Sequence, residues 1–211
     1  LGEGDPAERK LDPQVAIVRP VDGKRINIVR IEQSRLRERD PLHEISITWA
    51  DYHRKIEELA VKVYESGWEF NQIVCIAKGG LRIGDTLARL FDLPLAILAA
   101  SSYSGPGKRG QLTFSRDLAM TTANLGSHVL LVDDLVDSGM TLKRSVHWLK
   151  HHYGFYIEEI RTGVLWYKAA SVYQPDYYVD YLPDNPWIHQ PFEPYEQMTP
   201  QQLMESLRSS G

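Results

Sequence analysis

A chain of 211 residues, 43% hydrophobic and 25% charged, suits one globular domain or a domain with a small addition. Its formal net charge of −4 argues against a broadly basic surface, and so against nucleic acid as the main partner. A single cysteine, Cys75, excludes an internal disulfide, and no apolar run reaches the roughly 18 residues of a membrane span. With no signal peptide evident, a reducing cytoplasm is the expected compartment.

Residues 1–44 read as an N-terminal extension of unknown role. Two apolar runs, VAIVRPV and RINIVRI, flank Asp22 and Gly23, which is a hairpin signal. The spacing of Trp49, Tyr52, Ile56, Leu59, Ala60 and Val63 then predicts a helix from Thr48, with Gly67 able to end it. Residues 73–77 read as a buried strand, holding Cys75 as a small hydrophobe. KGGLRIG leads into a short helix through Leu87 and Leu90, and residues 95–99 form another apolar strand. Residues 101–111, SSYSGPGKRGQ, read as a polar glycine-rich loop. Residues 129–132 give the next strand, and Thr141 opens a helix with Val146 and Leu149 inward. Strands at 160–165 and 177–179 complete the set, and residues 196–211 form a C-terminal helix or tail. Alternating strands and helices predict an α/β fold with a mostly parallel twisted sheet flanked by helices.

The stretch VLLVDDLVDSGMT, residues 129–141, carries most of the chemistry. In an open parallel sheet, ligands bind beyond the carboxyl ends of the strands. Asp133 and Asp134 stand at such an end. The following Ser138, Gly139, Met140 and Thr141 lead into a helix start, where backbone N–H groups bind anions and hydroxyls add donors. One crevice would then offer an anion cradle beside a carboxylate pair, which suits a sugar phosphate with or without a metal. The plainer alternative is that the two aspartates satisfy turn amides while Thr141 caps the helix. Neither a Walker loop nor a dinucleotide fingerprint is present.

VLLVDDLVDSGMT resembles the phosphoribosyl-pyrophosphate fingerprint of the type I phosphoribosyltransferases. IAKGGLRIGDTLARLF looks like the pyrophosphate loop and following helix of the bacterial xanthine–guanine enzymes. SSYSGPGKRGQ is similar to the start of their mobile catalytic loop, and LWYKAASVYQPDYYVDYLPDNPWIHQPFE to their purine-binding end. The likeness spans residues 45–195, a phosphoribosyltransferase domain with a small hood.

The resemblance implies transfer of the 5-phosphoribosyl group from phosphoribosyl pyrophosphate to a 6-oxopurine, with Mg2+ as cofactor, in a cytoplasmic homodimer or homotetramer. It implies that Asp133 and Asp134 hold ribose hydroxyls with magnesium nearby, and that Asp137 is the candidate general base. Ser138, Gly139, Met140 and Thr141 would cradle the 5′-phosphate. Lys78, Gly79 and Gly80 would form the pyrophosphate loop, often built in this family around a non-proline cis peptide. Bacterial relatives carry arginine where Lys78 stands; lysine keeps the charge and loses the planar fork. Ser102, Tyr103 and Arg109 would belong to the closing loop. Lys168 would donate to the 6-oxo group, Trp187 would stack on the purine, and Ile188 would offer backbone groups. Glu193 matches an acidic position near magnesium. His189 receives no catalytic role, and His151 and His152 suit a helix C-terminus. A regulator of the same fold, or transfer to another base, is the competing expectation.

Overall fold

The computed structural model describes the backbone of residues 44–105 and 108–209; the side chains of residues 102–111 are not described. The hairpin expected around Asp22 and Gly23 lies outside the described residues.

Helix α1 (Trp49–Glu65) starts on a reciprocal cap. The Thr48 hydroxyl accepts from the Asp51 amide at 3.1 Å, and the Asp51 carboxylate accepts from the Thr48 amide at 3.4 Å. These two bonds satisfy orphan donors of the first turn, and the Thr48 hydroxyl at 2.6 Å, then its amide, hold the Asp51 carboxyl below its ordinary range. Tyr52, Ile56, Leu59, Ala60 and Val63 face inward as their spacing predicts. Trp49, on the same stripe, stays 36% exposed at the rim of the molecule. Each fully buried large side chain of the stripe contributes about 1.5–3 kcal/mol.

Strand β1 (Glu44–Ser46) precedes α1, and β2 (Gln72–Ala77) follows it. Helix α2 (Leu81–Phe91), β3 (Leu95–Gly105), β4 (Lys108–Phe114), β5 (Ala119–Met120) and β6 (His128–Val136) come next. Helix α3 (Met140–Tyr153), β7 (Glu159–Lys168), β8 (Tyr177–Leu182), β9 (Trp187–His189), α4 (Pro194–Gln197) and α5 (Pro200–Ser209) complete the order. The main sheet runs β4-β3-β2-β6-β7-β8, with β5 paired to β3; only the β4 and β5 pairings are antiparallel. A separate two-stranded sheet joins β1 to β9 in parallel.

Side-chain alternation divides the core between the two sheet faces. Ile73, Cys75, Leu130 and Val132 pack with α1 and α2, whereas Val74, Ile76, Val129 and Leu131 pack with α3. Cys75 is fully buried, and burial pushes its thiol up to about 12, so it is inert at neutral pH.

Residues 101–111 depart from the expected loop. Strand β3 continues to Gly105 and pairs with β4, which starts at Lys108, in register Ser101↔Thr113, Ser102↔Leu112 and Tyr103↔Gln111. The Ser101 and Thr113 hydroxyls bond across the pair at 3.0 Å, so small hydroxylic residues serve the ladder as well as a loop. Leu90 is 61% exposed, and Ile83, Gly84 and Leu87 carry the buried face of α2.

Candidate active site

The site arises from a difference in strand length. Strands β2 and β6 pair through Cys75↔Val132, and β2 ends at Ala77. Strand β6 continues to Val136, held by β7 through the pair Val136↔Tyr167. Beyond Val132 one side of β6 is open, at the point where the sheet order changes direction. A cavity of about 920 Å³ occupies this place. Lys78, Gly79 and Arg82 line one wall, Asp133, Asp134 and Thr141 a second, and Phe192, Tyr195 and Glu196 a third.

The expected strand end at Val132 is thus four residues early: both aspartates lie inside β6. The Asp134 amide donates to Asp133 Oδ1 at 3.0 Å, and Gln190 Nε2 donates to Asp134 Oδ2 at 3.1 Å. Asp133 is 8% exposed. Burial first, and the neighbouring Asp134 charge second, hold its carboxyl well above the ordinary range. Burial raises Asp134 as well, and the charge of Glu196 adds to it. A side chain at position 79 would collide with both carboxylates, so glycine is what lets the β2–α2 turn approach them. The Ala77–Lys78 peptide leading into that turn is cis. Tyr52 supports the turn from below, donating to the Gly79 carbonyl at 3.5 Å.

Asp137 and Ser138 follow β6, and Gly139 precedes α3 with φ 77°, a left-handed backbone that favours glycine. A Cβ there would also strike the Ser171 hydroxyl and Tyr173. The Val172 amide donates to the Ser138 carbonyl at 3.0 Å, tying this turn to the segment after β7. Thr141 lies within α3 and does not cap it.

A second group lies outside the cavity lining. Lys168, 4% exposed at the end of β7, places its Nζ 3.2 Å from Asp137 Oδ1. The same ammonium stands 5.9 Å from the Trp187 ring centroid. Trp187 is 44% exposed, while the Ile188 side chain is in the core and its backbone runs opposite Ile45. The structure therefore brings Asp137, Lys168 and Trp187 together from three separate segments.

Ser102 and Tyr103 fall on β3 and Arg109 on β4, in the hairpin beside β2; their side chains are outside the description. Glu193 faces His189: its carboxylate is 3.2 Å from His189 Nδ1, whose Nε2 is 3.1 Å from Glu44. The acidic residue that this segment does place on the cavity wall is Glu196, three residues on. Gln190, Arg82, Tyr52 and Glu196 are the site residues that sequence reasoning passes over. Gln190 and Arg82 stand inside the motifs quoted above, and Glu196 repeats Glu193 at helical spacing.

An open, mostly parallel sheet with a carboxylate pair and a glycine turn into α3 at its switch point defines an α/β protein whose ligand crevice lies beyond the strand ends. Residues 48–197, well over half of the chain, match the phosphoribosyl transferase domain family, and the chain belongs to it. It is 26% identical over 151 residues to a xanthine-guanine phosphoribosyltransferase of Idiomarina loihiensis, covering 71% of this chain and 87% of that one. It is 32% identical over 106 residues to a hypoxanthine-guanine-xanthine phosphoribosyltransferase of Tritrichomonas foetus. That match covers 49% of this chain and 57% of the relative, so the chain spans little more than half the length of that enzyme. Among solved structures, the purine phosphoribosyltransferase of Pyrococcus horikoshii superposes with a TM-score of 0.59 at 27% identity, over 71% of this chain and 93% of that one. A xanthine-guanine-hypoxanthine phosphoribosyltransferase of Helicobacter pylori shares the fold at TM-score 0.60 and 20% identity, over 74% and 100% of the two chains. Among the described residues no helix is long and apolar enough to cross a membrane.

Proposed function

We propose that this chain transfers the 5-phosphoribosyl group from phosphoribosyl pyrophosphate to guanine, xanthine or hypoxanthine, releasing pyrophosphate and a nucleoside monophosphate in purine salvage. The observation that carries the reading is the pair Lys168 Nζ–Asp137 Oδ1 at 3.2 Å beside the Trp187 ring. A lysine ammonium only donates, so it suits a 6-oxo group and disfavours the 6-amino group of adenine. Trp187 supplies a stacking face. Asp137 then lies where a carboxylate can take the proton of the attacking ring nitrogen. As that nitrogen bonds to C1 of the ribose, the C1–oxygen bond to pyrophosphate breaks and the electron pair leaves with the pyrophosphate.

Ser138, Gly139, Met140 and Thr141 hold the 5′-phosphate with helix-start amides and hydroxyls. Asp133 and Asp134 accept from the ribose hydroxyls, and Lys78, Gly79 and Gly80 hold the pyrophosphate. Ser102, Tyr103 and Arg109, on the β3–β4 hairpin, close over the reacting centre and keep water from it.

Among the described residues no cluster of three or more His, Cys, Asp or Glu side chains could cage a metal. Two adjacent buried carboxylates fit magnesium, which takes one or two carboxylates plus phosphate oxygens and water. Asp133 and Asp134 would hold it, and when bound it neutralises charge on the leaving pyrophosphate. Glu193, the further acidic candidate near magnesium, is engaged by His189, whose other nitrogen meets Glu44 of β1.

Residues 45–195 are the phosphoribosyltransferase domain of this reading, and the Glu44 carboxylate just before them pairs with His189. A cytoplasmic homodimer or homotetramer is the assembly we propose, to be read by light scattering.

The test is to incubate the protein with phosphoribosyl pyrophosphate, magnesium and each of guanine, xanthine, hypoxanthine, adenine and orotate. Nucleotide should form with 6-oxopurines. Folded protein that turns over none of the three would reject the reading.

A further inference from the structure

We propose that Arg82 is a pyrophosphate-binding residue, its guanidinium held at the cavity rim by two aromatic rings so that it meets the leaving diphosphate. This rests on the phosphoribosyl-pyrophosphate reading above and deepens it.

Arg82 is the second residue of α2 and lines the cavity beside Lys78 and Gly79. Its guanidinium carbon lies 5.0 Å from the Trp49 ring centroid and 5.3 Å from that of Phe192. Trp49 comes from α1 and Phe192 from the segment after β9, so two distant elements converge on one cation. A free arginine loses rotamer freedom when it binds an anion; one already flanked by rings loses less.

The flanking rings attract the charge but offer the five N–H donors no acceptor. Among the described residues no carboxylate pairs with Arg82. The nearest acid along α2 on its exposed side, Asp85, is taken by Arg89 at 3.0 Å. Arg82 is exposed, so its folding role is slight, and a purely structural cation on these rings would have no reason to face a cavity.

That cavity already holds the carboxylates of Asp133, Asp134 and Glu196 against the cations Lys78 and Arg82. A diphosphate adds negative charge to the acidic side, and two cations at the β2–α2 turn are what offset it. Lys78 meets an oxygen as a point charge, whereas a guanidinium bonds two oxygens at once. Arg82 supplies the fork that position 78 lacks.

Binding of magnesium pyrophosphate and of guanosine monophosphate, each measured by calorimetry on the wild type, Arg82→Gln and Arg82→Lys, tests this. Loss of a charge-assisted contact should weaken pyrophosphate binding about tenfold to a hundredfold in Arg82→Gln. Arg82→Lys should recover part of that loss, and guanosine monophosphate affinity should stay within about twofold in both. Pyrophosphate affinity unchanged in Arg82→Gln overturns the proposal. So does an equal loss of both ligands, which marks a structural role. If no 6-oxopurine is turned over but pyrophosphate binding still falls selectively, the acceptor reading fails and the assignment of Arg82 stands.

Discussion

Asp133 is a carboxylate kept out of water beside a second carboxylate, and that arrangement costs stability at neutral pH. Burial and the Asp134 charge raise its folded value above the ordinary 3.8. The folded state therefore holds its proton more tightly than the unfolded chain does. Its stabilising contribution is complete below the unfolded value and is lost as pH rises through the raised folded value. Asp133→Asn keeps an acceptor for the Asp134 amide and removes the charge. It should raise the melting temperature by a few degrees at pH 7 in divalent-free buffer, with the gain vanishing below about pH 4. Binding of phosphoribosyl pyrophosphate should collapse in the same variant, read by calorimetry. Gly139→Ala should act in the opposite direction, losing about 1–3 kcal/mol through its left-handed backbone and the clash with Ser171, measured by denaturant unfolding. The aspartates and Gly139 are legible in the sequence because their chemistry is local to one motif. Arg82 and Gln190 are not, since what gives them meaning is a pair of rings and a carboxylate brought from distant segments.

The elements that sequence pattern reveals are those with a repeating face: α1, α2 and α3 by helical spacing, β2 and β6 by continuous apolar runs. Strands β1 and β9 are three residues each, too short to show a period, and nothing local announces their parallel pairing. The β3–β4 hairpin escapes notice because glycine and serine read as loop while its ladder is made by Ser101, Ser102 and Tyr103 with a later segment. Histidine 189 joins the short strands chemically as well as by backbone, lying between Glu44 and Glu193. Those carboxylates, Glu44 foremost, raise its pKa above the ordinary 6.5. The ion pairs are complete just below pH 6.5, where the imidazolium faces ionised carboxylates, and are lost as pH rises through the raised value. The Ile47 amide, which donates to the His189 carbonyl at 3.0 Å, reports on this joint. Its hydrogen-exchange protection, taken relative to His189→Gln, should decline as pH rises past that point, and equal protection at all pH would remove the role assigned to His189.

For the whole molecule, the family match at residues 48–197 leaves β1 just outside its N-terminal limit. A protein starting at Glu44 should keep activity and melting temperature close to those of the full chain. One starting at Ile47 loses β1 and the Glu44 partner of His189, and should melt lower and bind purine more weakly; calorimetric melts and guanine saturation curves distinguish the two. The shared β6–β7 ladder has a consequence for how such a molecule could change its trade. One end of the site is anchored at Asp133↔Val164, and the other begins just past Val136↔Tyr167, where Asp137 and Lys168 meet. The ladder is a ruler graduated at roughly 3.3 Å per residue. Inserting one residue into either strand would shift the acceptor end by a whole graduation and turn every later side chain to the opposite face. Intermediate adjustments must come from the segment between Lys168 and β8, residues 169–176, which carries no rung of the sheet. Diversity in the accepted base should therefore be sought by varying that segment, with Gln190 kept as the fastener to Asp134.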